Sequence, residues 1–342
     1  MKKRFALAST LAFAAATSLG AQGLSSPVCT TSGSAQSNAL QDACQQTYDL
    51  FTFLAPQLGI SLAGGNATLG TGSTLGGIGH FSLGLRGNIV SGTIPQIDQF
   101  TPRTTGATPA RQLPSKSQVL GLPTADAAIG IFGGLPLALT NVGGIDLLLS
   151  ATYVPTIGSG NKDFSLVPKQ NLQLGYGVRV GLLSESIVMP GVSFTYLKRD
   201  LPATTISGTA TYTSTLGSST ANLSVVDAKV NTSAWRLVAS KGLLLFGLAA
   251  GVGQDSYDLG ATINTSLTST VGGTSNSSVV ATVPNIKRTN YFLDASLNLP
   301  LFKIVGEVGQ VTGGTVNTYN SIGTERADKS LTYGSVGLRF AL

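Results

Sequence analysis

The amino-acid sequence predicts an all-β fold, a transmembrane antiparallel β-barrel of about ten strands preceded by a short amino-terminal helix. Three observations support this: apolar and polar residues alternate with period two, charged residues are scarce, and short connections alternate with long ones. Charged residues make up 11% of the 342 residues, compared with about 25% in soluble domains, yet mean hydropathy is positive. This balance is typical of strands that face lipid on one side and a polar lumen on the other.

The first residues have the three-part layout of a secretory signal peptide. Lys2, Lys3 and Arg4 precede an uncharged apolar run that ends at the small residues Gly20 and Ala21. Residues 1–21 are therefore predicted to be a cleaved signal peptide for export by the Sec route. Without its three basic residues, 18 of the 21 basic residues remain against 15 acidic ones, and the formal charge falls from +6 to +3.

Cys29 and Cys44 are the two cysteines of the chain. Since an exported protein meets an oxidising compartment, we expect them to form a disulfide, which would contribute about 3 kcal/mol. Two unpaired buried thiols are the alternative. With a single histidine and no Cys-x-x-Cys spacing, we expect no metal site and no cofactor. Basic residues are scattered rather than clustered, so we expect no nucleic-acid partner.

Between the signal peptide and the first strand, residues 37–58 repeat apolar side chains at helical spacing. The repeating positions are Leu40, Cys44, Tyr48, Phe51 and Leu54. This pattern predicts one amphipathic helix, and a glycine-rich stretch follows at 64–79. We assign residues 22–78 to a periplasmic or plug segment and residues 79–342 to the barrel.

The alternation is clearest in residues 171–182. Its even positions are Leu172, Leu174, Tyr176, Val178, Val180 and Leu182, and its odd positions are Asn171, Gln173, Gly175, Gly177, Arg179 and Gly181. A soluble β-sandwich would alternate as well. Here, however, aromatic residues recur near the strand ends, as the interfacial girdles of a membrane barrel require. The outer face is therefore expected to contact membrane lipid.

The connections between predicted strands fall into a long and a short class. The long polar connections lie near 99–118, 155–168, 210–221, 266–278 and 317–329. Shorter ones alternate with them, as in a barrel that spans an asymmetric membrane. Threading strands between the connections gives about ten strands with both termini on the periplasmic side, or twelve if residues 59–69 also pair.

The carboxyl terminus carries Ser335, Val336, Gly337, Phe340 and Leu342 in the order polar, apolar, glycine and two spaced apolar residues. The last eight residues, 335–342, resemble the carboxyl-terminal β-signal of bacterial outer-membrane barrels, although the commonest form of that signal ends in Phe rather than Leu. The resemblance implies location in the bacterial outer membrane and recognition by the barrel-assembly machinery during biogenesis. Pairing by strand addition is the physical basis of such recognition.

The order of helix, flexible segment and barrel is similar to that of barrels with an amino-terminal plug, such as the long-chain fatty-acid transporters. Their plug motifs are not matched here, so no residue is carried over from them. Two arrangements stay open, a plug within the barrel and a helix resting against its periplasmic mouth. We favour the helix at the mouth.

Strand parity places a nearly balanced set of charged residues on the inner face. The set comprises Arg86, Asp126, Asp146, Arg179, Arg236, Asp294 and Arg339. Such groups either pair and close the lumen, or line a water-filled lumen and select solutes by charge. Because many inward positions are glycines that leave space, we favour the water-filled lumen.

Catalysis would need a histidine beside a carboxylate or a serine, and His80 is the one histidine of the chain, without an acidic neighbour in sequence. We therefore predict that the protein is not an enzyme. The sequence favours a porin-like barrel for passive passage of small solutes or apolar molecules. The alternative is a non-conducting structural or adhesive barrel whose surface loops bind a partner.

Overall fold

The computed structural model describes residues 24–137, 139–158 and 165–341. The predicted signal peptide and Leu342 lie outside the described residues. Its elements in chain order are α1 (Ala35–Ala63), β1 (Phe81–Pro95), a 3-10 helix (Ile97–Gln99), β2 (Gln112–Leu113), β3 (Ser115–Phe132), β4 (Leu135–Leu137), β5 (Thr140–Val142), β6 (Ile145–Tyr153), β7 (Ser165–Pro168), β8 (Leu172–Leu183), β9 (Gly191–Asp200), β10 (Thr204–Ser214), β11 (Gly217–Leu243), β12 (Phe246–Ser269), β13 (Gly273–Asn298), β14 (Lys303–Thr312), β15 (Ser321–Ile322) and β16 (Leu331–Ala341). Among the described residues, no helix has both the length and the apolar character needed to cross a membrane.

Twelve strands form one large antiparallel sheet, and ten of them close into a ring. The ring runs β1, β3, β6, β8, β9, β11, β12, β13, β14, β16 and back to β1. The closing pair aligns Ser82 with Ala341 and Val90 with Tyr333. The predicted barrel of about ten strands is therefore confirmed. The other two strands, β10 and β7, extend the sheet beside the upper part of β11.

The two ends of the barrel differ. At one, which we call the turn end, the connections are short and both barrel termini, Phe81 and Ala341, lie there. At the other, the loop end, the connections are long, except that β12 and β13 join through a tight hairpin turn at residues 270–272. Strands β11, β12 and β13 contain 27, 24 and 26 residues, whereas β6, β9 and β14 contain 9 to 10. One side of the barrel therefore continues far beyond the length that spans a membrane.

Helix α1 begins at the loop end and runs down into the barrel. The hydroxyl of the N-cap residue Ser34 accepts a hydrogen bond from the backbone N–H of Ser37, and the helix ends at Gly64, whose φ of 60° favours glycine. At its start, the Gln36 amide nitrogen lies 3.2 Å from the carbonyl oxygens of both Leu267 and Gly273, at the tip of the β12–β13 hairpin. The interior of the ring therefore surrounds the helix.

Three expectations about this segment are corrected. The helix is a plug and does not rest against the mouth, because it contacts β1, β3, β11, β12 and β13 from within. The helix is buried on all its sides, including polar residues such as Gln46. It therefore has no exposed polar face, and the prediction of an amphipathic helix is wrong. The first described residue, Leu24, also lies at the loop end, where its N–H donates to the carbonyl of Thr318. Only the barrel's own termini share the turn end.

The upper part of α1 lies in the main apolar cluster of the protein, together with the tall strands. Its members include Leu50, Phe51 and Phe53 of the helix and Ile263 and Leu267 of β12, each at most 2% exposed. The Cys29 and Cys44 sulfur atoms form a disulfide within the same cluster. Burial of these side chains fixes the helix in the upper lumen, because apolar area removed from water is the dominant stabilising term.

Candidate functional site: a clamped plug beside an apolar cavity

The structure puts all seven charged residues of the predicted inward set on the inner face of the barrel. Six of them are buried, and the Asp126 side chain is 17% exposed. Three pairs form across neighbouring strands: Arg86 with Asp126 at 2.8 Å, Arg179 with Asp146 at 2.6 Å and Arg236 with Asp255 at 2.5 Å. Arg339 donates to the hydroxyl of Ser82 at 2.8 Å.

Sequence reasoning missed four other buried charges on the inner face, namely Arg199, Asp255, Arg288 and Glu307. Arg199 lies 2.9 Å from Asp126, and Glu307 accepts a hydrogen bond from the Ser335 hydroxyl at 3.0 Å. The signal that would have found them is again strand parity. For example, Asp255 shares its inward parity with Gly247 and Gly251 on the same strand.

The arginines bind the carboxyl end of α1 through its backbone. Arg199 donates to the carbonyl of Ala63 at 2.9 Å, and Arg236 donates to the carbonyls of Gly64 at 2.7 Å and Gly65 at 3.0 Å. The last carbonyls of a helix have no intrahelical partner and carry the negative end of its dipole. Buried guanidinium groups therefore satisfy a helix end that would otherwise be costly to bury.

The carboxylates bind the following stretch, also through its backbone. Glu307 accepts from the N–H groups of Gly65 at 3.2 Å and Asn66 at 2.6 Å, and Asp294 accepts from the N–H of Gly70 at 3.0 Å. Farther along, the N–H of Leu75 donates to Asp146 at 3.2 Å. Together, these arginines and carboxylates hold residues 63–75 inside the barrel, and we call them the clamp.

The expectation of a water-filled, charge-selective lumen is therefore wrong for this conformation. The inner charges pair with one another and with the plug, which corresponds to the alternative in which they close the lumen. Two of the inward glycines leave room for the plug: a Cβ atom on Gly130 would lie 2.3 Å from the carbonyl oxygen of Gly77, and one on Gly337 would lie 2.7 Å from Leu69. Others, such as Gly177 and Gly251, face neighbouring strands of the barrel. Alternation identifies the inner face but not what fills it.

A cavity of about 510 Å³ lies at the loop end between α1 and the upper parts of β1, β3, β7 and β10. Strand β3 pairs with β6 only from Thr124 onward. The loop-end part of β3, before Thr124, therefore has no neighbouring strand on that side among the described residues and borders the cavity. Polar side chains such as Asp98, Lys116 and Gln118 also belong to the lining. The aliphatic lining residues include Leu54, Leu58, Ile94, Leu120, Leu122, Val154, Leu201 and Ile206.

Above the clamp, two carboxyl groups of α1 are fully buried: Asp42, which pairs with Arg111 at 3.4 Å, and Asp49. Asp49 accepts from the N–H groups of Tyr319 at 2.9 Å and Asn320 at 2.8 Å, in the last long connection. Burial raises the pKa of Asp49 from its ordinary value of 3.8 to about 7, although these hydrogen bonds lower it in part. Asp49 thus joins the plug to a long connection at the loop end of the lumen.

The predicted assembly residues lie in β16, the strand that closes the ring. Ser335 and Gly337 face inward, whereas Val336 and Phe340 face outward and are 65% and 46% exposed. Leu342 lies outside the described residues. His80 is exposed at the start of β1, at the turn end. Within residues 24–137, 139–158 and 165–341, no group of histidine, cysteine and acidic side chains could hold a metal ion.

Neither a family model nor a curated protein matches this chain. Among solved structures, the Pseudomonas putida toluene transporter TodX is 11% identical over 80% of this chain and 95% of that chain, with a TM-score of 0.33. The transport unit of the Escherichia coli autotransporter AIDA-I is 10% identical over 87% and 98%, with a TM-score of 0.27. An anion-selective porin from Comamonas acidovorans is 10% identical over 77% and 98%, with a TM-score of 0.17. At these TM-scores the likenesses carry no argument, and the interpretation rests on the geometry.

Proposed function

We propose that this protein is an outer-membrane barrel for the passage of small apolar molecules. Its surface is inverted relative to that of a soluble protein: large apolar side chains are exposed on the outside, and charged ones are buried inside. Leu174, Val308 and Leu293 are 72%, 55% and 52% exposed on the outer face, whereas Arg179 and Asp146 inside are 1% and 0% exposed. An exposed apolar band around a closed ring is suited to lipid, which supports a location in the membrane.

The observation that carries the proposal is the apolar cavity beside the plug. Leu54, Leu58 and Ser61 of α1 form part of its lining, so a molecule in the cavity would contact the helix that fills the lumen. A concave aliphatic surface with a few polar groups is typical of a small-molecule site. Since the clamp occupies the lumen below, we infer that apolar molecules, rather than hydrated ions, are the substrates, and that passage requires movement of the plug.

A second candidate function is adhesion through the loop end. The tall strands β11 to β13 extend past the membrane-spanning length, and their outward residues there are mostly Thr, Ser and Asn, such as Thr274, Asn276 and Ser278, which are exposed. A polar sheet of this kind suits a surface partner. In this case the plug would be permanent and the barrel would act as an anchor.

Entry of the apolar dye N-phenyl-1-naphthylamine into bacterial cells that express the protein tests the first candidate. We expect expression to raise the initial rate several-fold over cells without the protein. Leu120→Glu should remove the increase, because it puts a carboxylate into the aliphatic cavity. Ser117→Glu, on the same strand but in a neighbouring polar cleft, is the matched control and should leave the rate unchanged.

Two results would contradict the proposal. Equal dye entry with and without the protein, at equal amounts of folded barrel, would favour adhesion. Steady ion conductance of the unmodified protein in planar bilayers would instead indicate a permanently open aqueous path, contrary to a filled lumen.

A further inference from the structure

The short connections at the turn end are unusually apolar. Leu137 is 57% exposed in the β4–β5 hairpin, Ile187 and Val188 are 96% and 72% exposed between β8 and β9, and Leu244 is 98% exposed between β11 and β12. Leu301, between β13 and β14, is 80% exposed. All the connections at this end thus present large aliphatic side chains, and we call these five residues the turn ring.

The aromatic residues of the outer face divide by type along the barrel. Phe81, Phe246 and Phe340 lie at the turn-end termini of their strands, whereas Tyr153 and Tyr291 lie at or toward the loop-end limit of the apolar band. Tyrosine places a polar hydroxyl at a membrane–water interface, and phenylalanine has no such group. The tyrosines therefore indicate the membrane–water interface on the loop-end side. The described strand termini at the turn end have no tyrosines that would indicate a second interface there.

The height of the apolar band also indicates that the membrane extends beyond the strands at the turn end. Tyr153 is eight residues from the turn-end terminus of β6, Ile145, and Tyr291 is seven residues from that of β13, Asn298. At about 3.3 Å per residue and a tilt near 40°, seven or eight residues rise about 18–20 Å, which is less than the roughly 25 Å apolar band of an outer-membrane barrel. The strands alone therefore do not reach the full height of the apolar band, and the missing height lies at the turn end.

We propose that the turn ring lies within the periplasmic leaflet and contacts lipid acyl chains. The ring is continuous with the lipid-facing band through Leu243 and Phe246, which are 57% and 62% exposed on either side of the β11–β12 turn. Two charged groups at this end bind backbone groups: Lys241 donates to the carbonyl of Ile187 at 2.9 Å, and Glu185 accepts from the N–H of Gly242 at 2.5 Å. The ring completes the apolar band that the strands leave short.

Single cysteine probes test this proposal directly, because the native cysteines are joined in a buried disulfide. Leu244→Cys and Leu301→Cys are labelled with an environment-sensitive fluorophore and refolded into phosphatidylcholine vesicles whose acyl chains are brominated or plain. Leu293→Cys, in the middle of the band, is the lipid-exposed control. Val271→Cys, an aliphatic residue 73% exposed at the loop end, is the control for exposure outside the membrane.

We expect brominated chains to quench the labels at 244 and 301 about twofold, as at position 293, because all three would lie among acyl chains. The label at 271 should be unaffected. Emission at 244 and 301 typical of water, without quenching, would overturn the proposal. Emission typical of an apolar environment without quenching would also overturn it, since the ring would then contact a second copy of the chain rather than lipid.

Discussion

The two halves of the plug are held in the lumen by different kinds of interaction. The loop-end half is helix α1, whose large side chains, such as Leu50 and Phe51, lie in an apolar cluster with the tall strands. The turn-end half, residues 64–77, is rich in glycine and small residues and is held through its backbone by the clamp. One half buries side chains and the other satisfies backbone groups.

The difference shows how one lumen can be filled in two ways. Where the barrel continues above the membrane, its inner face is apolar and a helix fits as it would in a soluble core. Within the membrane-spanning ring the inner face is narrow and charged, so only a small-residue backbone fits, and its N–H and C=O groups need partners. The clamped half should therefore depend on individual charged residues.

The largest expected effect comes from Arg236→Ala in the clamp. Arg236 is fully buried and binds Asp255, Gly64 and Gly65. Its removal leaves the buried Asp255 carboxylate without its cation, and we expect the free energy of unfolding to fall by about 3–5 kcal/mol. Urea titration in vesicles measures the change.

The matched control for that variant is Lys169→Ala. Lys169 pairs with Asp227 at 2.7 Å, but their side chains are 63% and 42% exposed, so its loss should cost at most about 1 kcal/mol. Equal effects of the two variants would mean that the clamp does not hold the plug.

A smaller effect is expected for Gly130→Ala, which tests whether the inward glycines are fitted to the plug. The added methyl would lie 2.3 Å from the Gly77 carbonyl oxygen, so the turn-end half must shift, at a cost of about 1–3 kcal/mol. Gly84→Ala is the control, because its nearest neighbour would be 3.5 Å away. Proteolysis of the plug should increase for the first variant alone, and similar protection of both would argue against a close fit.

The smallest effect concerns Asp49 in the apolar half. Its pKa in the folded protein is about 7 against 3.8 when unfolded, so the folded state holds a proton that the unfolded state has already lost. Its stabilising contribution is complete below the unfolded pKa and is lost as pH rises through 7, by about 1.4 kcal/mol between pH 6 and pH 8. In Asp49→Asn, urea midpoints should lose this dependence. An unchanged pH profile would assign the titration to another group.

Several features of the molecule were determined by the sequence alone. The period-two pattern assigned Arg179, Asp146 and the rest of the inward set to the inner face, because alternate side chains of a strand point to opposite sides. The two classes of connection gave the ring of about ten strands. Both are local properties, and neighbouring residues are enough to reveal them.

What fills the barrel was decided only by the tertiary structure. Helical spacing predicted a helix over residues 37–58, but its position within the lumen depends on distant partners, such as Arg199 for Ala63 and Arg236 for Gly64. An inward arginine has the same sequence pattern whether it meets water or a carbonyl group. Some of the glycines that appeared to leave a channel, such as Gly130 and Gly337, instead make room for the plug. A missing side chain specifies space but not its occupant.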